Sequence, residues 1–275
     1  MMQTVGLCGP AVAPATDAGN VALEITQSVL PHTPWADPAL SRMPGMRPVT
    51  EGSWIIVDEV YGAQLAEKAR LMTERRDQVL MAEPGAEAAE AECLDAVLAA
   101  LPPGFAREGR VVRRPDGFRV SLDGAPLEVA SRLVQEDLLL LDRRGAEHVL
   151  IAGLLCFPAH WTLAEKIGRP LVRIHAPVPE YDADLARRVQ RLFDRAVPGR
   201  PMWRANVLPH AEAVLHRPRA EAAAPEAPET ARYVRSERQT VLRLPRTGAV
   251  LFAVHTWIVP LARLTPAQRA GCPVG

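Results

Sequence analysis

The sequence predicts an α+β fold, an antiparallel sheet with flanking helices, and three patterns carry that prediction. Residues 233–244 and 249–259 are two long segments of strand-like composition. They are joined at Pro245, Arg246, Thr247 and Gly248, a short glycine-containing turn, and read as a β-hairpin. Residues 149–157 are apolar throughout and end at Pro158, which suits a buried strand better than a helix. Residues 182–197 repeat Leu185, Val189, Leu192, Phe193 and Ala196 at helical spacing, opposite Arg187, Arg188, Arg191 and Arg195.

The remaining elements follow in chain order. Residues 1–50 are rich in Pro, Ala and Gly and show no periodicity, so they are expected to form an arm over the body, with Trp35 as an anchor. A domain spans 51–260. It begins with a helix on which Val57, Tyr61, Leu65, Leu71 and Met72 share a face. A second helix covers 86–101 and stops at Pro102, Pro103 and Gly104. Residues 118–122 predict a small hairpin turning near Asp123 and Gly124. Residues 127–141 predict a helix, with Leu127, Ala130, Val134, Leu138 and Leu141 on one stripe. A short helix is expected at 162–167, with Thr162 as N-cap and Glu165 three residues on. Gly168, Pro170, Pro177 and Pro179 then punctuate a loop. Residues 202–208 predict a strand, 217–230 an exposed loop, and 261–275 a short tail. The sheet is thus expected from strands near 118, 150, 205, 238 and 254.

Composition narrows function. The 275 residues carry 32 basic and 32 acidic side chains, so no global field favours nucleic acid or an anionic membrane. Lys68 and Lys166 are the only lysines, which leaves 30 arginines. Coding bias explains that excess, and so does anion recognition. No basic residue precedes Arg42, so the positive region of a signal peptide is missing, and no apolar run is long enough to cross a bilayer. With Cys8, Cys93, Cys156 and Cys272 never at CxxC spacing, a cytoplasmic chain with reduced thiols is expected. GxGxxG, GxxxxGK[ST], GxSxG and HExxH signatures are absent. Cys156 ends an apolar strand with no adjacent base and reads as a structural thiol.

One stretch is dense in chemistry. Residues 156–179, CFPAHWTLAEKIGRPLVRIHAPVP, hold two histidines, a tryptophan, Lys166, Arg169 and Arg173. A lone histidine cannot build a zinc site, which needs three or four ligands. It can hold a haem, because the porphyrin supplies four nitrogens and one proximal imidazole completes the set. His175 and His160 both qualify, and either can instead be an ordinary structural histidine. Haem propionates call for arginines, and the last hairpin offers Arg235, Arg238, Arg243 and Arg246. Arg235, Glu237 and Gln239 share one strand face, Arg238 and Thr240 the other.

Four ordered blocks are more specific than any of these residues alone: LVQEDLLLL at 133–141, LCFPAHWTLAEKIGRPLVRIHAPVP at 155–179, MWRAN at 202–206 and RSERQTVLRLPRTGAVLF at 235–252. Together they resemble the haem-dependent oxidative N-demethylase family, in its α-subunit type, over about residues 53–260. The resemblance implies a PAS-like fold and a b-type haem. It also implies a monooxygenase that uses dioxygen to oxidise a methylamine carbon, giving formaldehyde and the demethylated amine. Electrons would come from a separate flavin and iron–sulfur reductase. Carried onto this chain, the resemblance makes His175 the iron ligand, with His160 as the alternative. It makes Glu237 and Gln239 the catalytic pocket residues, Glu237 orienting a protonated amine. Arg238, Arg246 and Trp203 become cofactor contacts, Arg246 with a structural role as its alternative. The chain departs from the family pattern at Ala159, Val207 and His255 and in its short tail, which bears on the substrate pocket and the reductase-docking surface. A haem-binding sensor or gas-binding module without turnover is the competing expectation, since such folds host both roles.

Overall fold

The computed structural model describes residues 24–41, 43–50, 53–177, 181–223 and 230–274. Expectations that fall on residues 1–23, on Pro179 and on 224–229 lie outside them. Seven antiparallel strands form the main sheet: β1 (Arg47–Pro48), β2 (Leu80–Ala82), β6 (Asp137–Arg144), β7 (Glu147–Leu154), β8 (Met202–His210), β9 (Tyr233–Arg243) and β10 (Val250–Pro260). Their order is β1-β8-β9-β10-β6-β7-β2. A separate three-stranded sheet holds β3 (Ala106–Glu108), β4 (Val111–Arg113) and β5 (Arg119–Ser121). The mixture of helices and antiparallel strands is the α+β fold that the sequence predicts.

Helices cover both faces of the main sheet. On the first face, α1 (Tyr61–Glu74), α3 (Glu87–Ala100) and α4 (Pro126–Ser131) bury Leu71, Cys93, Val97 and Val129 against Leu138, Leu140, Leu242 and Leu251. On the second face, α5 (Leu163–Lys166), α6 (Leu171–Ile174) and α7 (Ala183–Asp194) bury Leu163, Leu171, Leu185 and Phe193 against Leu139, Leu141, Val241 and Val250. The short α2 (Arg76–Val79) leads into β2. Asp182 caps α7 by accepting from the Leu185 amide at 2.7 Å. Gly153 lets α5 approach the sheet: a Cβ there would stand 2.8 Å from Leu163 Cδ1 and 2.9 Å from Leu139 Cδ2.

Several expectations need correction. Residues 127–141 are not one helix; α4 ends at Ser131 and the leucine run belongs to β6. β6 lies between β10 and β7 and is buried on both sides, so consecutive leucines serve opposite cores and no alternation marks the strand. The hairpin near residue 118 pairs backwards with β4, across a turn closed by the Arg114 amide and Phe118 carbonyl, 2.8 Å apart. Its bend falls at Gly117, whose φ of 87° needs a residue without Cβ, and not at Asp123 and Gly124. It joins the small sheet, so the strand near 118 is not part of the main one. The loop after Gly168 also contains the single turn α6. At 162–167 the short helix forms, but the Thr162 hydroxyl donates to the Glu165 carboxylate at 2.7 Å and caps no backbone amide.

The first face also carries a buried polar cluster. His255 sits between Asp58 (Nε2 to Oδ2, 3.2 Å) and Glu136 (Nδ1 to Oε1, 3.1 Å). Gln135 donates to Asp58 and Gln64, at 2.8 and 2.9 Å. Gln27 exchanges backbone and side-chain hydrogen bonds with Ile258, fixing the segment near residue 27 to β10. Trp35 packs beside Leu30, Trp257 and Leu264.

Candidate functional site

Strand alternation sorts the candidate residues. Val241 faces the second core, so Arg235, Glu237 and Gln239 point to that side as well. β8 pairs antiparallel with β9 and sets Arg204 opposite Gln239 and Asn206 opposite Glu237. The result is one connected polar group. Arg204 NH1 donates to Gln239 Oε1 at 2.7 Å, and Asn206 Nδ2 donates to Glu237 Oε2 at 3.0 Å. Asn206 Oδ1 accepts from the Glu237 amide at 3.0 Å, and Gln239 Nε2 donates to Glu237 Oε2 at 3.4 Å.

Arg235 is fully buried beneath this group. It donates to Glu237 Oε1 at 3.2 Å and to the carbonyls of Leu215 and Phe157, at 2.9 and 2.5 Å. The Glu237 carboxylate is therefore neutralised from below and held in one orientation. Arg204 carries a second positive charge with no carboxylate paired to it among the described residues, and its Nε is sealed without a partner. Burial depresses the Arg204 pKa, against the pull of Glu237.

His175 lies on the same side of the sheet. It closes α6, its amide donating to the Leu171 carbonyl at 3.1 Å, and Leu171, Ile174 and Tyr181 pack in the apolar layer that covers Val241. Its Nδ1 stands 2.9 Å from the Leu171 carbonyl oxygen. A carbonyl only accepts, so Nδ1 carries the hydrogen and Nε2 of the neutral ring is a bare lone pair. Burial lowers the pKa; the Leu171 contact opposes this and Lys166 adds to it. The ring stacks on Tyr181, 4.4 Å between centroids and 13° between planes. Lys166 pins the preceding residue by donating to the Ile174 carbonyl at 2.8 Å. Nε2 makes no hydrogen bond with any described residue.

An imidazole that ligates haem iron needs a neutral ring, a fixed tautomer and a bare nitrogen. His175 has all three. Among the described residues no cluster of three His, Cys, Asp or Glu side chains is arranged to hold a bare metal ion, and a haem does not need one.

The other expected residues sit elsewhere. His160 adopts φ 63° at the bend after Pro158 and lies 5.9 Å, ring to ring, from His210. Trp203 and Arg238 point to the first face, with the guanidinium 4.9 Å above the indole, so the sheet separates them from His175. Arg246 lies at the far turn, exposed, 2.5 Å from Asp95 on α3. Cys156 is buried, which raises its thiol pKa, as a structural thiol requires.

Sequence reasoning did not single out Asn206 or His216. Like His175, His216 has Nδ1 against a carbonyl (Cys156, 2.8 Å) and an unpartnered Nε2. It lines a cavity of about 200 Å³ with Met81, Leu155 and Leu163. Only the register of β8 on β9, and the fold of the chain over Phe157, bring these residues forward.

The profile of one protein family, described as haem-dependent oxidative N-demethylase, alpha subunit-like, matches residues 45–272. The chain belongs to this family. The match spans every strand of the main sheet, His175, and the Arg204–Asn206–Glu237–Gln239 group. The family's description carries haem dependence, oxidative N-demethylation and an alpha-subunit character. No helix among the described residues is long and apolar enough to cross a membrane.

Proposed function

We propose that the chain is a haem-dependent monooxygenase. It oxidises a methylamine carbon with dioxygen and externally supplied electrons, and releases formaldehyde and the demethylated amine. The observation that carries this reading is the His175 imidazole, neutral and fixed in one tautomer, with Nε2 bare on the sheet face that also holds Glu237. His175 is the single protein ligand of a b-type haem, and the bound haem supplies the redox chemistry with dioxygen. Five central strands with crossover helices packed over one face support the PAS-like reading.

The protein's own groups then have defined tasks. Glu237, already balanced by Arg235, retains acceptor capacity and orients an amine N–H rather than serving as its sole counter-ion. Gln239 and Asn206 hold that carboxylate in place. Arg204, with no carboxylate paired to it among the described residues, is placed to meet a haem propionate. The apolar layer around Leu171 and Tyr181 excludes water. The sequence has neither a cysteine cluster nor a nucleotide loop, so the electrons come from a separate flavin and iron–sulfur reductase, in the reducing cytoplasm.

The test is an absorption spectrum of the chain expressed with haem precursor, oxidised and then reduced. A stoichiometric Soret band is expected in the wild type and its loss in His175→Ala. Full-strength haem retention in His175→Ala would overturn the assignment, and the same measurement on His216→Ala and His160→Ala would locate the ligand. Glu237→Gln should keep the band and lower amine-dependent oxygen uptake roughly 100-fold, the scale of a positioned polar group in catalysis. A wild-type chain that holds haem but consumes no oxygen with any methylamine and a surrogate reductant would be a gas-binding module instead.

A further inference from the structure

The cations that this fold removes from water are met by acceptors. Lys68 lies 3.4 Å from Asp137 and donates to the Glu136 carbonyl at 2.5 Å. Arg235 has Glu237 and two carbonyls, and Arg114 has Asp116 and the Arg132 carbonyl. Arg243 donates to the Phe193, Ala196 and Gly248 carbonyls at 2.6–2.8 Å. Arg238 differs. It is half-buried, yet it makes no hydrogen bond or ion pair with any described residue. Its Nε is sealed without a partner, whereas neither terminal nitrogen is sealed. Glu136 attracts Arg238 through space without an ion pair: its Oε1 is engaged by His255 and by the Ile56 amide, and its Oε2 is sealed without a hydrogen bond. A partly desolvated guanidinium with no acceptor is costly unless something else supplies one.

The surroundings indicate what that is. The guanidinium lies 4.9 Å above the Trp203 ring. His32 stands 6.0 Å from the same ring and 4.9 Å from Trp257. Burial, with Arg238 and His255 adding to it, pushes the His32 pKa to about 3, so this imidazole is neutral. Its tautomer is set by Ser236. The Ser236 hydroxyl donates its one hydrogen to the Asn206 carbonyl at 2.6 Å, so its oxygen accepts from His32 Nε2 at 2.8 Å. His32 Nδ1 is then a bare acceptor beside the indole.

We propose that Arg238, Trp203 and His32 form a binding site for a small, flat monocarboxylate, on the face of the sheet opposite His175. The carboxylate takes the terminal N–H groups of Arg238, and the planar body lies along Trp203. A ring hydroxyl or N–H on that body reaches His32 Nδ1. A single arginine that makes no direct ion pair suits a monoanion; a phosphate dianion calls for a second cation. The proposal does not depend on the haem reading.

Benzoate is the probe and benzamide its neutral isostere, each titrated calorimetrically into the full chain and followed by tryptophan fluorescence. Benzoate should bind at least tenfold tighter than benzamide. Arg238→Gln should erase that difference while leaving the melting curve and the haem content unchanged. Trp203→Leu should keep the preference for charge but bring benzoate down to the affinity of acetate. Equal binding of benzoate and benzamide to the wild type would overturn the proposal, and so would an Arg238→Gln chain that still prefers benzoate. Loss of haem in Arg238→Gln, with no benzoate binding in the wild type, would make Arg238 a cofactor contact and refute a separate site.

Discussion

His175 and His255 lie on opposite faces of one sheet, the first half-buried and the second fully buried, and their charge states differ for a reason that burial alone does not supply. Burial works against the imidazolium in both. At His175 a backbone carbonyl opposes burial and Lys166 adds to it, and the pKa falls. At His255 the carboxylates of Asp58 and Glu136 outweigh burial, and the pKa rises. One ring is neutral with a bare nitrogen, and is the proposed iron ligand. The other is drawn toward its charged form and joins strand β10 to the segments carrying Asp58 and Glu136. Depth sets the cost of charge, and neighbours decide whether it is met.

The largest expected effect breaks the second of these. His255→Phe keeps a ring in place but leaves Asp58 and Glu136 facing each other in the interior. Removing one partner from a buried ionic group costs about 3–5 kcal/mol. Urea unfolding of the haem-free chain should show a loss of that size, whereas His175→Phe should cost far less. If the two variants lose equal stability, the contrast between the rings is wrong.

That contrast was only partly legible in the sequence. Helix α7 stands out because one side is polar and the other apolar, and the β9–β10 hairpin because two strand-like runs flank a glycine-containing turn. β6 does not, because Leu138 and Leu140 enter one core while Leu139 and Leu141 enter the other. A run buried on both sides carries no period, and the leucines read as helix. His175 was visible from its neighbours Pro177 and Ile174. The carboxylates around His255 were not, since Asp58 and Glu136 are 197 and 119 residues away along the chain. Likewise Glu237 and Gln239 could be placed on one strand face, but Asn206 and Arg204 join them only through the β8–β9 register. The pairing of Arg235 with Glu237, which changes the carboxylate's role, depends on how deeply Arg235 is buried.

A middle-sized effect sharpens the second face. Gly153→Ala puts a methyl group into Leu163 and Leu139, both of which are flexible at the point of contact. Overpacking of this kind costs about 1–3 kcal/mol. Because α5 also carries Lys166, which holds the residue before His175, the variant should release haem faster than the wild type at a temperature where both are folded. An unchanged haem off-rate would detach the α5 contact from the His175 geometry.

The pH dependence of the same two histidines should have opposite signs. The folded pKa of His255 lies above the free value of about 6.5. Its contribution to stability is complete below that pH and is lost as pH rises through the raised value. The folded pKa of His175 lies below the free value. Its contribution is complete above about 6.5 and is lost as pH falls through the lowered value. Each slope is bounded by about 1.4 kcal/mol per pH unit for one proton. Subtracting the His255→Phe and His175→Phe unfolding curves from the wild type, in the haem-free chain, isolates each term. Two slopes of the same sign would refute the comparison.

The smallest expected effect concerns Arg246, which lies at the hairpin turn. Its guanidinium is exposed and meets Asp95 in solvent, where an ion pair adds little. The turn is held instead by Glu92, which accepts from the Arg246 and Thr247 amides at 2.6 and 2.7 Å and from the Thr247 hydroxyl at 2.6 Å. Arg246→Ala preserves both amide contacts. Its melting temperature and Soret band should match those of the wild type within error, while Glu92→Ala should lower the melting temperature because it strips the turn of three acceptor contacts at once. A loss of haem in Arg246→Ala would place the cofactor at the far end of the hairpin and undo the assignment to the His175 side.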